Sequence, residues 1–164
     1  WKISLIDTGV DSMTGGRIRR LKSYLKNEEA FCLTYGDGLS NVNIKSLVDF
    51  HKKHGKMATL TAVNPPGRFG ALDILDNQVK SFIEKPLGDN SRINGGYFVL
   101  SPSVIDFIDN DSISWENEPL STISSQNNLM AYIHNGFWQP VDTLREKNML
   151  EELWTAGKAP WKVW

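Results

Sequence analysis

The chain has 164 residues, of which 40% are apolar and 23% charged, and its formal net charge is −1 with no basic block. That length suffices for a real hydrophobic core, and the charge balance argues against non-specific binding of nucleic acid. No apolar run is long enough to span a bilayer as a helix, and the single cysteine, Cys32, has no disulfide partner in this sequence, so the expected setting is a reducing one, the cytoplasm, with no membrane partner.

Trp1 is not a start methionine, and Lys2-Ile3-Ser4-Leu5-Ile6-Asp7 reads as the middle of a fold, so a fragment lacking its amino-terminal part is expected. Ile3 and Leu5 predict a short strand ending at Asp7-Thr8-Gly9. Met13-Thr14-Gly15-Gly16-Arg17 reads as a helix entry with Thr14 as its cap, continued at helical spacing by Ile18, Leu21 and Leu25. Residues 30–35 form an apolar strand that runs into Gly36-Asp37-Gly38. Cys32 lies within it and is expected to be buried and inert. Ile44, Leu47, Val48 and His51 share a helical face that ends at Gly55. Residues 57–63 alternate and are rich in β-formers, so they read as a strand. Strand, helix and strand in that order make a βαβ unit.

Asn64-Pro65-Pro66-Gly67-Arg68-Phe69-Gly70 is a loop rich in breakers. Residues 71–75 and 79–84 flank Asp76-Asn77-Gln78 and predict a hairpin. Residues 93–100 form a strand with Gly95 and Gly96 near its start. Residues 103–108 predict a short helix capped by Ser101 or Ser103. A helix over 116–125, a strand over 129–134 and a helix over 142–156 follow, the last with Asp142 at its N-cap. Trp154, Trp161 and Trp164 are either interface aromatics or pack back on this chain. No repeat or second domain is evident. The whole reads as an α/β domain, a sheet flanked by helices.

In open α/β sheets, ligands bind at the carboxyl ends of strands, and Asp37 sits at such an end between two glycines. Asp142 opens the last helix. Mg²⁺ needs one or two carboxylates and fills its remaining positions with water and phosphate oxygens, so Asp37 and Asp142 are a candidate metal pair. Taken singly, Gly-Asp-Gly is often a turn and an aspartate before a helix is often a cap. Lys85, in Glu84-Lys85-Pro86 at a strand end, is a point charge suited to a phosphate, or a solvated lysine. Gly70, Gly95 and Gly96 permit close approach of a ligand, or mark bulges. Asn94 and Glu84 could bond sugar hydroxyls or brace local backbone. Arg17, after two glycines, could hold an anion or belong to a solvated basic face with Arg19 and Arg20. The histidines lack metal-ligand spacing and read as structural or solvated.

Asp7-Thr8-Gly9, Thr14-Gly15-Gly16-Arg17, Tyr35-Gly36-Asp37-Gly38, Pro65-Pro66-Gly67-Arg68-Phe69-Gly70, Glu84-Lys85-Pro86, Asn94-Gly95-Gly96 and Trp138-Gln139-Pro140 followed by Asp142-Thr143 occur in one order. With them the chain resembles, over essentially its whole length, the glucose-1-phosphate cytidylyltransferases (CDP-glucose pyrophosphorylases), a bacterial branch of the sugar-phosphate nucleotidyltransferases. The resemblance implies a nucleotide-diphospho-sugar transferase fold, a Rossmann-like mixed sheet flanked by helices and incomplete at its N-terminus. Residues 1–164 would be the C-terminal part of one nucleotidyltransferase domain.

The implied reaction joins CTP and α-D-glucose 1-phosphate to give CDP-glucose and pyrophosphate, for the synthesis of bacterial surface polysaccharide by a homo-oligomeric enzyme. By position, Asp37 and Asp142 would hold Mg²⁺ and Lys85 would grip the sugar phosphate. Glu84, Asn94, Gly70 and Gly95 would address the sugar, and Arg17 would help anchor the nucleotide sugar. Asp37, Lys85 and Asp142 would then be the catalytic set. The family's Gly-Gly-x-Gly-Thr-Arg loop is absent from this sequence, so the isolated chain is expected to be inactive. Other readings stay open, the first a related sugar-phosphate nucleotidyltransferase that uses another nucleotide. A glycosyltransferase of related fold would carry Asp-x-Asp, whereas Gly38-Leu39 follow Asp37. A nucleotide-sugar-binding domain without catalysis would have no need of Asp37, Lys85 and Asp142 together.

Overall fold

A computed structural model describes residues 1–66, 71–83 and 92–164. Its elements in chain order are α1 (Thr14–Arg20), α2 (Lys22–Leu25), β1 (Phe31–Thr34), β2 (Gly38–Ser40), α3 (Ile44–His54), β3 (Ala58–Val63), β4 (Ala71–Leu75), β5 (Gln78–Ile83), β6 (Ile93–Leu100), a 3₁₀ helix (Pro102–Phe107), α4 (Glu118–Ser125), β7 (Leu129–His134), β8 (Trp138–Pro140) and α5 (Leu144–Thr155). Among the described residues the strands form a four-stranded sheet of order β1-β6-β3-β7 and two ribbons, β2-β8 and β4-β5. The predicted strand–helix–strand unit is β1, α3 and β3, and β6 lies between its two strands.

The chain divides into two compact units. The first comprises Trp1–Leu33, Val48–Leu60 and Phe98–Met130. Its core is built from Ile18, Phe98, Val99, Leu100, Val104, Ile105, Trp115 and Ile123, all buried, with the Trp115 ring edge-on to Phe98 at 6.1 Å. Gly15 and Gly16 let α1 press on another stretch of backbone. A Cβ at Gly15 would lie 2.6 Å from the Ile113 carbonyl, and one at Gly16 would strike the Asp111 carbonyl. Arg20 ties the same contact, its Nη2 donating to Asp111 Oδ2 at 2.6 Å.

The second unit comprises Thr34–Leu47, Thr61–Tyr97 and Ala131–Trp164. Val42, Leu47, Ala62, Val63 and Leu150 are its buried apolar residues among those described. The β4-β5 hairpin closes through Asp76 and Asn77, with φ of 50° and 63°. Both central residues are left-handed, as a two-residue type I′ turn requires. Trp161 packs on Phe137, ring centroids 5.4 Å apart, whereas Trp164 is exposed. The tail aromatics therefore divide between packing back and facing solvent.

Several expectations are corrected. Residues 1–9 form no strand, and Ile3 and Leu5 are exposed, because an alternating run needs a neighbour to ladder with. Thr14 does not cap α1. Met13 is the N-cap, and the Thr14 hydroxyl donates to Glu116 at 2.7 Å and accepts from the Trp115 N–H at 2.9 Å. No side chain caps the 3₁₀ helix. Cys32 is exposed, not buried. It points outward from β1, which is at the edge of the sheet, although its surroundings still exclude enough water to push the thiol pKa up. Asp142 does not cap α5, whose N-cap is Thr143.

Candidate functional site

The site is built on the β2-β8 ribbon of the second unit. β1 ends at Thr34, the chain passes through Tyr35-Gly36-Asp37, and β2 begins at Gly38. Gly38 pairs with Pro140, Leu39 with Gln139 and Ser40 with Trp138, antiparallel. One further bond extends the pairing, the Val141 N–H donating to the Asp37 carbonyl at 2.7 Å. Asp142 is the next residue. Residues 105 apart in sequence are thus neighbours at one end of a short ribbon, and both aspartates are exposed. The ladder stops there, so the strict alternation of a strand does not extend to Asp142.

The local sequence explains why Asp142 sits in the turn. Thr143 and Glu146 form a capping box. The Thr143 hydroxyl accepts from the Glu146 N–H at 3.3 Å, and the Glu146 carboxylate accepts from the N–H groups of Thr143 and Asp142, each at 2.9 Å. The helix end is satisfied by Thr143 and Glu146, which removes the capping explanation for the Asp142 side chain.

A small cavity of about 60 Å³ opens beside Asp37, lined by Gly38, Asn94, Gly95, Gly96 and Trp138 among others. The start of β6, which lines it, is held locally, with Asn94 Oδ1 accepting from the Gly96 N–H at 2.9 Å and Gly96 at φ 75°. Two bonds between residues far apart in sequence close the wall. The Trp138 indole N–H donates to the Gly95 carbonyl at 2.7 Å, and the Tyr97 hydroxyl donates to the Gly38 carbonyl at 2.8 Å. Burial pushes the Tyr97 pKa up, so the phenol keeps the proton it donates. Among the described residues, close packing does not require either glycine flanking Asp37. A Cβ on Gly36 would meet nothing within 4 Å, and one on Gly38 only Trp138 Nε1 at 3.9 Å. Neither has a positive φ.

Of the residues expected to form a site, Asp37, Asn94 and Gly95 line this one cavity, and Asp142 adjoins it through backbone pairing. Arg17 belongs to the first unit, where its guanidinium donates to Thr8 Oγ1 at 2.8 Å and to the Val10 carbonyl at 3.3 Å. Gly70, Glu84 and Lys85 lie outside the described residues. Trp138 and Tyr97 were not expected. The signal available for them is chemical, since a half-buried Trp or Tyr needs a partner for its polar tip.

Among the described residues, no group of three or more His, Cys, Asp or Glu side chains could hold a metal. Mg²⁺, a hard cation that retains water and accepts phosphate oxygens, needs only one or two carboxylates. The donor set of Asp37 and Asp142, with open space beside Asp37, fits such an ion. The histidines have structural partners. His51 Nδ1 and His54 Nε2 lie 2.8 Å and 2.7 Å from Thr59 Oγ1, and His134 Nε2 lies 3.2 Å from both Ser40 Oγ and the Phe137 carbonyl. Among the described residues no helix is long and apolar enough to cross a membrane.

Residues 13–146 match a family profile described as nucleotidyl transferase. The chain is 63% identical, over 164 residues, to the glucose-1-phosphate cytidylyltransferases of Salmonella typhimurium and Salmonella typhi, a match that covers 100% of this chain and 64% of each of those proteins. This chain therefore spans somewhat less than two thirds of the length of these curated relatives. Among solved structures it resembles HddC from Yersinia pseudotuberculosis complexed with GMP-PN, with a TM-score of 0.66 and 20% identity over 92% of this chain and 65% of that one. At that identity the likeness establishes the fold alone, the mixed sheet flanked by helices of the nucleotide-diphospho-sugar transferases.

Proposed function

Because the chain belongs to the nucleotidyl transferase family, matched over residues 13–146, we propose that the protein transfers a cytidylyl group from CTP to α-D-glucose 1-phosphate, giving CDP-glucose and pyrophosphate. The identity to the two Salmonella cytidylyltransferases supports the choice of nucleotide and sugar. The observation that carries the site is the Val141 N–H bond to the Asp37 carbonyl at 2.7 Å, which makes Asp37 and Asp142 neighbours.

In this reaction a phosphate oxygen of the sugar phosphate forms a bond to the α-phosphorus of CTP. The bond from that phosphorus to the bridging oxygen breaks, and its electron pair leaves with pyrophosphate. The protein need supply no nucleophile; its task is alignment and charge neutralisation. Asp37 and Asp142 would hold Mg²⁺, which when bound neutralises the phosphate oxygens of two anions that otherwise repel. Lys85 would offset charge on the attacking phosphate. Asn94, Gly95, Glu84 and Gly70 would contact the sugar, and Arg17 would help anchor the nucleotide sugar. The open space at Gly36 and Gly38 favours close approach of a ligand to Asp37.

The test is pyrophosphate release from CTP and glucose 1-phosphate by the full-length protein. Asp37→Ala or Asp142→Ala is expected to lower kcat/KM by at least ~10²-fold, or ~2.7 kcal/mol. Lys85→Ala is expected to act chiefly on KM for glucose 1-phosphate. Near-normal turnover by either aspartate variant at limiting Mg²⁺ would overturn the metal assignment.

A further inference from the structure

Three links join the strands around the cavity into a closed ring. Trp138 on β8 donates to Gly95 on β6 at 2.7 Å. Tyr97 on β6 donates to Gly38 on β2 at 2.8 Å. β2 returns to β8 through the Gly38–Pro140 pairing and the Val141 bond to Asp37. The ring therefore includes Asp37 itself and the residue before Asp142. We propose that Trp138 is a positioning residue for the metal-holding pair, acting through the bond of its indole N–H to the Gly95 carbonyl; the role rests on the proposed function.

The geometry favours the N–H over mere ring bulk. The indole nitrogen is a donor only, and at 2.7 Å it makes a short, well-formed bond to a backbone carbonyl. Trp138 and Gly38 line the same cavity as Gly95, so the bond lies on the wall beside the residue after Asp37. β2 and β8 are each three residues long, so their own ladder is too short to fix the two aspartates. Groups bonded directly to a metal ligand typically change metal affinity by about tenfold to a hundredfold when removed, and Trp138, which acts through Gly95 and the ring, is set at the lower end of that range.

The experiment replaces Trp138 in the full-length protein by benzothienylalanine, which keeps the bicyclic ring and puts sulfur where the N–H was. Two quantities are measured, amide hydrogen exchange at Val141 and Mn²⁺ affinity by electron paramagnetic resonance. The expected result is faster exchange at Val141 and Mn²⁺ binding weaker by about tenfold. Tyr97→Phe, which removes the other long link, is expected to move both quantities the same way. Unchanged exchange at Val141 overturns the inference. Faster exchange with unchanged Mn²⁺ affinity also overturns it, and leaves the proposed function standing. No Mn²⁺ binding by the unsubstituted protein would instead show that the proposed function is wrong, and the role of Trp138 would fall with it.

Discussion

Two explanations compete at Asp142, a helix cap and a ligand. The cap belongs to Thr143, which accepts from the Glu146 N–H while Glu146 secures the N–H groups of Asp142 and Thr143. Thr143→Ala is therefore expected to destabilise the fold by ~1 kcal/mol, and Asp142→Ala by no more than ~0.5 kcal/mol. Urea denaturation of the two variants measures the difference, and equal losses would return the cap to Asp142. The glycines separate in the same way. Gly96 is left-handed, and a Cβ there would lie 2.7 Å from Tyr35 Cδ2. Gly96→Ala is expected to cost ~1–3 kcal/mol. Gly36→Ala, with nothing within 4 Å of the added carbon, is expected to leave stability within ~0.5 kcal/mol. Thermal unfolding of both variants checks this contrast.

α3 and β3 are joined by one hydroxyl. Thr59 Oγ1 lies within hydrogen-bond distance of both His51 Nδ1 and His54 Nε2, and a hydroxyl has one proton to give. His54 Nδ1 accepts from the Lys56 N–H at 2.9 Å, so His54 is the neutral ring here, its Nε2–H donates to the Thr59 hydroxyl, and that hydroxyl has its own proton available for His51 Nδ1. Burial, and then the charge of His54, lowers the pKa of His51; burial, and then the charge of Lys56, lowers that of His54. A histidine with a depressed folded pKa binds fewer protons folded than unfolded between the two values. Its stabilisation is complete above the ordinary value near 6.5 and is lost as pH falls through the folded pKa. Unfolding free energy is expected to be lower at about pH 5.5 than at about pH 7.5, and a His51→Gln variant is expected to flatten that dependence. A parental slope that survives in the variant would contradict this account.

α3, β3, the β4-β5 hairpin and β7 were legible because each carries its own local signal, whether helical spacing, alternation or a turn pair that tolerates positive φ. The first strand was not, because Ile3 and Leu5 describe one edge of a ladder and say nothing of the other. Cys32 was misread for a similar reason: an apolar run does not say whether its strand is central or at the edge of the sheet.

On the scale of the whole molecule, the described part of the candidate site draws on separated stretches of the second unit, around Asp37, Asn94 and Trp138. Motif order singled out these stretches in advance, through Asp37, Asn94 and Gly95, which line one cavity. The braces were not legible, since Trp138 reaches Gly95 across 43 residues and Tyr97 reaches Gly38 across 59, and nothing local marks either partner. What the fold adds is convergence of backbone, as a ribbon of two three-residue strands sets Asp37 beside the residue before Asp142. That convergence is tested most directly by paramagnetic broadening of backbone amide signals on adding Mn²⁺ to the full-length protein. The account predicts that Gly38 and Thr143 broaden over the same Mn²⁺ range, and that Asp37→Asn abolishes both effects. Broadening at Gly38 without Thr143, or at Thr143 undiminished by Asp37→Asn, would mean that the two aspartates do not share an ion.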